Sequence, residues 1–400
     1  MKRHLIYIIG IMLTLCSCVD YNDATQAISV KVQVVMPDEF VNAPQLGGHE
    51  ITMTLGGEQL KATTDANGVA TFENIVPDIY DITTTWKITS EEYMAMTGKQ
   101  VQNNNYTISG SINSQLLKED SNVPLQLKTQ AAIVQSILIS KIYSSGSKDN
   151  NKKNYQNGKY IELYNNSDED EDIAGLYIGL LESTSTPAYL LGQTPDIIYM
   201  KQVFRIPADK PCIVKPGETV VIVNSAIDHS QYGPMEQNLL DADFEAKDTR
   251  GRTENNPDTP ALELIYTYAA ALSYMNLVQG GPCSIVIFRT EDNVADYQLV
   301  YPYGKTKGSL FMAVPTKYVV DGVDFLVTKA QTGVDISTKR LYDYIDSGNT
   351  NINATSGNNG EVVYRKIQSI TDDGRIILQD TNNSSSDFGV SDAIHVREFK

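Results

Sequence analysis

Apolar and polar residues alternate along most of this chain, and the alternation predicts strands. In "ISVKVQVVM" (28–36) Ile28, Val30, Val32 and Val34 fall on one side, the period-two pattern of a strand with one face in a core. "HEITMTLGGEQLKATT" (49–64) reads as a strand, a Gly56-Gly57 turn and a second strand. "DANGVATFENIVPDIYDITTTW" (65–86) contains Asn67-Gly68, a hairpin signal because both residues tolerate positive φ. Ala70, Phe72 and Asn74 then share one face and Val69, Thr71 and Glu73 the other, with Phe72 marking the core side. "NYTISGSI" and "VPLQLKT" complete a first β-domain over residues 28–128.

The larger part, residues 131–400, opens on the buried-looking strand of "AAIVQSILISKIYSSG", followed by the polar loop "SKDNNKKNYQNG". In "KYIELYNNSDEDEDIAGLYI" (159–178), Ile161 and Leu163 share one strand face, and Tyr160, Glu162 and Tyr164 the other. Asn165 begins a turn, and Asp168 to Asp172 are consecutive acids before Ile173, Leu176 and Ile178 resume the core. "PCIVKPGETVVIV" and "GPCSIVIF" read as strands, the first broken by a Pro-Gly turn. A stretch at about 232–280 looks inserted and irregular. Within it "IYTYAAALSYMNL" packs as sandwich core with loops, exposes its tyrosines, or forms a short helix with Ile265, Tyr268, Ala269 and Leu272 on one face. Few long helical patterns occur, and with 23 Tyr the composition is that of an all-β protein. The expected architecture is two β-sandwich domains.

The first residues differ. Lys2 and Arg3 precede an apolar run from Leu5 to Leu15, about half a bilayer span, and then Leu15-Cys16-Ser17-Cys18. This is a signal peptide (1–17) with a small residue before the cut. A polar, acidic tether follows at 18–27. Cleavage takes away two bases and no acid, moving the formal charge from −17 to −19. So acidic a chain excludes nucleic acid as a partner and disfavours anionic membrane surfaces.

Candidate chemistry is sparse. Cys212 and Cys283 remain after processing, each opening an apolar strand. If those strands pair, a disulfide is open to them in an oxidising compartment. Their spacing is not a Cys-x-x-Cys metal site. Asp228 and His229, with Asp241 and Asp243 downstream, are the best candidate set for a transition metal such as zinc or iron; the competing reading is turn capping. The acidic run lacks the spaced oxygens and glycine of an EF-hand calcium loop, and it reads as a solvated hairpin loop rather than a catalytic pair. Tyr266, Tyr268 and Tyr274 are candidates for stacking on sugar rings or a protein partner. No Gly-x-Ser-x-Gly, P-loop, Gly-x-Gly-x-x-Gly or His-x-x-x-His motif occurs, so no cofactor and no catalytic set is expected.

Three resemblances add to this. Leu15-Cys16-Ser17-Cys18 resembles a bacterial lipobox, which implies lipidation of Cys18. "TTDANGVATFENIVPDIYDIT" resembles the signature of transthyretin-like or carboxypeptidase-regulatory-like β-sandwiches through Asp65, Gly68, Ala70, Phe72, Ile75 and Tyr80, with Asp78 where that pattern has Gly. "YIELYNNS" with Ile173, Gly175, Leu176 and Ile178 is similar to lamin-tail domains, which are immunoglobulin-like sandwiches; there Asn165 and Asp168 cap the turn. Taken together with "VIVNSAIDHS", "DADFE", "VPTKYVVDGVDFL", "TKRLYDYIDSG" and "ILQDTNNSSSDF", the chain resembles a Bacteroidota cell-envelope lipoprotein family of unknown function. The resemblance implies an outer-membrane lipid anchor and a TonB-dependent receptor as partner. Asp20 and Asp23 resemble the acidic export signals of surface lipoproteins, which implies the outward-facing leaflet, with the periplasmic side as the alternative. The functional expectation is a non-enzymatic accessory in metal, siderophore or glycan uptake; an extracellular adhesive module and a metal-dependent hydrolase are the alternatives.

Overall fold

The computed structural model describes residues 26–400 apart from 43, 56–57, 99–105, 122, 134–135, 184–195 and 302–304. The leader, Cys18, Asp20, Asp23 and the Gly56-Gly57 turn lie outside the described residues. The chain is all-β, and it forms two compact units, one mainly from residues before Gln130 and one mainly from Gln130 to Lys400.

In the first unit, one sheet holds Val69–Ile75, Ile28–Val35 and Leu125–Lys128 in that order, and a second contains Glu58–Thr63, Glu50–Leu55, Asp78–Ile88 and Tyr106–Leu117. The alternating residues meet between them: Val30, Val32, Ala70 and Phe72 pack with Ile51, Met53 and Ile82. Asp65 shapes the Asn67-Gly68 turn by accepting from the Asn67 and Val69 amides at 2.8 and 3.0 Å, and Gly68 takes φ 78. It is not a hairpin, however. The strands it joins, Glu58–Thr63 and Val69–Ile75, belong to different sheets, so the turn crosses the sandwich.

The second unit is a sandwich of two larger sheets. One runs Phe244–Glu245, Thr219–Val223, Tyr160–Asn165, Ile137–Tyr143, Val362–Arg365, Phe388–Ser391. The other runs Leu299–Val300, Phe311–Pro315, Ile197–Arg205, Tyr177–Leu181, Ile285–Phe288, Val319–Val323, with Glu263–Thr267 paired to Ile197–Arg205. Ile139, Ile142, Ile161, Leu163 and Ile222 of the first meet Ile178, Leu180, Phe204, Ile285 and Ile287 of the second. The outer faces are covered as well. Tyr143, Tyr160, Val221 and Val223 lie under Leu239, Ala242 and Ile394, and Met200, Val286, Phe288 and Val314 under Leu341 and Ile345. Ile137–Tyr143 and Tyr160–Asn165 are therefore buried at every position, the polar Ser140, Lys141, Glu162 and Asn165 included.

Burial on both faces brings charges inward, and at the centre of the first sheet they are paired. Lys141 stands opposite Glu162 in the ladder, its Nζ 2.5 Å from Glu162 Oε1 with both side chains at most 1% exposed. The Glu162 carboxylate also accepts from Ser140 Oγ and the Arg397 amide at 3.0 and 2.7 Å, and the Phe399 ring lies 4.1 Å from Lys141 Nζ. The C-terminal residues thus lid an ion pair that would otherwise face solvent.

The 232–280 segment is tied in at both ends of the sandwich: Phe244–Glu245 extends the first sheet and Glu263–Thr267 the second. Between them the chain is organised by buried carboxylates. Glu245 accepts from the Ala226 and Asn256 amides at 2.7 and 3.2 Å. Asp248 collects the amides of Arg250, Arg252 and Thr253. "IYTYAAALSYMNL" is not a helix; its first residues lie in the Glu263–Thr267 strand.

Candidate functional site

The residues singled out by sequence do not assemble. Cys212 and Cys283 are free thiols: Ile213–Val214 pairs with Glu171–Asp172, whereas Ile285–Phe288 pairs with Tyr177–Leu181 and Val319–Val323, so their strands never run side by side. Burial pushes both thiols up. The acidic run ends in the Glu171–Asp172 strand rather than in a free loop tip, and Asp172 Oδ1 accepts from the Ala174 and Cys212 amides at 3.0 and 2.8 Å. Those amide bonds hold its carboxyl below the usual range.

The proposed metal set is a correction too. His229 is fully buried; Nε2 donates to the Ser225 carbonyl at 2.8 Å and Nδ1 accepts from the Tyr155 hydroxyl at 2.7 Å. Both ring nitrogens are spent, and burial draws the imidazole pKa down. Asp228 Oδ1 caps Ser230. Asp243 accepts from the Val221 amide and Arg397 at 2.7 and 2.9 Å, while Asp241 Oδ2 lies 3.9 Å from Arg397 Nε. Among the described residues no His, Cys, Asp and Glu side chains converge as a metal-binding group. The tyrosines are likewise engaged. Tyr266 donates to the Leu310 carbonyl at 2.8 Å, Tyr268 packs toward Phe311 and accepts from Asn276 at 3.0 Å, and the Tyr274 hydroxyl lies 3.4 Å from Arg252.

What the fold does build is a cleft of about 440 Å³ at the end of the second sheet, lined by Asp196, Thr316, Lys317, Asp321, Tyr344 and Asn382 among others. Pairing of Ile197 with Pro315 brings Asp196 beside Thr316, whose amide donates to the Asp196 carbonyl at 2.9 Å. Asp196 holds φ 62, a left-handed conformation that Asp tolerates better than most residues. The Tyr344 hydroxyl bridges the two: it donates to Asp196 Oδ1 at 3.1 Å and lies 3.0 Å from Thr316 Oγ1. Burial and the Asp196 charge both raise the Tyr344 phenol pKa. The ring is 51% exposed and is stacked on Tyr342 at 5.2 Å and 8°.

The far wall is fixed from behind. Ser347 donates to the Asn382 carbonyl through its amide and its hydroxyl at 2.8 and 3.0 Å. Nearby, buried Asp346 accepts from the Ser384 amide and hydroxyl at 2.8 and 2.5 Å. At the floor, Asp321 Oδ2 takes Arg365 Nη2 and the Ile139 amide at 2.8 and 2.7 Å, and Oδ1 takes the Gly322 amide at 2.8 Å. Both its oxygens are committed. Asp196 lines the cleft and accepts from Tyr344 through Oδ1. The lining offers hydrogen-bonding groups, an aromatic ring and apolar contacts from Pro315, Val319, Val320 and Ile345. Sequence reading missed these residues because Asp196, Thr316, Tyr344 and Asn382 lie far apart along the chain; the only local sign is the aromatic-acid alternation of "YDYID" (342–346).

Residues 215–393 match the model of a family described as "Protein of unknown function (DUF4876)". The match includes Thr316, Tyr344 and Asn382 and begins after Asp196. Among solved structures the chain is similar to the crystal structure of a DUF4876 family protein from Bacteroides thetaiotaomicron VPI-5482, at 22% identity over 90% of this chain and 94% of that one, with a TM-score of 0.56. That is a likeness of fold. The crystal structure of BcpA, the major pilin subunit of Bacillus cereus, aligns at 12% identity over 74% of this chain and 94% of that one, but its TM-score of 0.15 supports no argument. No curated protein matches the chain. Among the described residues no helix is long and apolar enough to cross a membrane.

Proposed function

We propose that this chain is a non-enzymatic binding lipoprotein of the bacterial outer membrane, anchored through Cys18 and working beside a TonB-dependent transporter as a capture component for small nutrients. The observation that supports binding over catalysis is the cleft itself. Its walls present Asp196, Thr316, Tyr344 and Asn382, groups that hold a molecule by hydrogen bonds and stacking, while the one other carboxylate among the lining residues, Asp321, is neutralised by Arg365. A volume of about 440 Å³ lies within the range of small-molecule sites. The anchor rests on the lipobox-like Leu15-Cys16-Ser17-Cys18, and the acidic tether after Cys18 supports an outward-facing position.

The test is fractionation of cells carrying the native chain or Cys18→Ser. The native chain is expected in the outer-membrane fraction and exposed to protease added to intact cells, with the variant released to the soluble fraction. Equal distribution of the two overturns the anchor.

A further inference from the structure

The cleft at Asp196 and Tyr344 has a chemistry that selects its occupant, and this step rests on the binding reading above. We infer that it takes a neutral polyhydroxylated ligand, a mono- or disaccharide, with a ring C–H face laid on Tyr344 and hydroxyls bonded to Asp196, Thr316 and Asn382.

Each wall argues against another class. A purely apolar ligand would cover Asp196, Thr316 and Asn382 without replacing their bonds to water, at a penalty for every polar group left unpaired. An anion would meet the Asp196 carboxylate in a chain of net charge −17, and the Lys317 ammonium on the rim is laid on the Tyr318 ring at 4.8 Å. A bare metal cation would find one available carboxylate, because Asp321 is saturated by Arg365, Ile139 and Gly322. A neutral polyol meets every requirement. A carboxylate oxygen accepts from vicinal hydroxyls, the Thr316 hydroxyl, its proton given to the Tyr344 oxygen, accepts from a ligand, the Asn382 amide both donates and accepts, and an exposed aromatic face packs against C–H groups.

The site is also built in advance. Tyr342 backs the Tyr344 ring, the Asp196 and Thr316 bonds fix its hydroxyl, and Ser347 holds the Asn382 backbone carbonyl. Little side-chain freedom is left to lose on binding.

Saturation-transfer difference NMR on the processed chain tests this, with glucose, galactose, N-acetylglucosamine and maltose as neutral probes and glucuronate and glucosamine as charged comparators. Transfer to the ring protons of at least one neutral sugar is expected. Affinity should fall about tenfold in Tyr344→Ala and fall in the isosteric Asp196→Asn, and it should persist in Tyr232→Ala, an exposed tyrosine that lines no part of the cleft. Absence of transfer from every neutral probe, equal affinity in Tyr344→Ala, or binding of glucuronate as tight as glucose overturns the inference. Backbone shifts at Tyr344 and Asn382 on adding a ferric hydroxamate siderophore, with none on adding the sugars, overturn the saccharide class and leave the binding function standing.

Discussion

At the scale of single residues, the unusual groups are buried cations. Lys159 is 5% exposed, and its Nζ donates to the Leu277 carbonyl at 2.5 Å. Burial, with nearby Lys201 adding to it, brings its pKa down to about 8. The unfolded amine keeps its proton to about 10.5, so between these values the unfolded state binds more protons and stability rises with pH. Relative to Lys159→Met, the native chain should therefore gain stability between pH 8 and pH 10.5, by about 3 kcal/mol at most. Urea denaturation of both proteins across that range measures it, and parallel curves would remove the charge of Lys159 from the account.

At the scale of elements, the Lys141–Glu162 pair fastens Ile137–Tyr143 to Tyr160–Asn165 at the centre of the six-stranded sheet. Removing one partner leaves a charge without its counter-ion in a fully buried position, which costs about 3–5 kcal/mol. Replacing both with apolar residues of similar volume should restore most of that loss. Lys141→Met and Glu162→Leu, singly and together, are to be compared by denaturant midpoint. A double variant as unstable as the sum of the singles would show that the pair does not act as a unit. The same sheet shows how much of an element is readable from sequence. Ile161 and Leu163 lie in the core, as period two requires. Their neighbours Tyr160, Glu162 and Tyr164 are buried as well, because residues from about 236 to 242 and the C-terminus cover the outer face, and no local pattern announces a cover that comes from so far along the chain.

At the scale of the whole molecule, a net charge of −17 sets the solution behaviour. Self-repulsion of a strongly acidic surface opposes the compact state and is screened within a Debye length of about 10 Å at 0.1 M salt. The melting temperature should rise by a few degrees between about 10 mM and 150 mM NaCl. A fall in thermal scans would mean that attractive surface pairs outweigh the excess of acids.

Local chemistry determined what local chemistry can reach. Period-two alternation placed Val30, Val32, Ala70 and Phe72 in a core, the Asn67-Gly68 pair marked Gly68 as a positive-φ position, and the scarcity of helical pattern made the class all-β. Those signals depend on one residue and its immediate neighbours. Which strands pair, and hence whether Cys212 meets Cys283 or Asn67-Gly68 closes a hairpin, depends on contacts between distant segments, and there the tertiary structure decided otherwise. The cleft is the extreme case: Asp196, Thr316, Tyr344 and Asn382 become neighbours only when the end of one strand is paired with the start of another, and no spacing along the chain encodes that meeting.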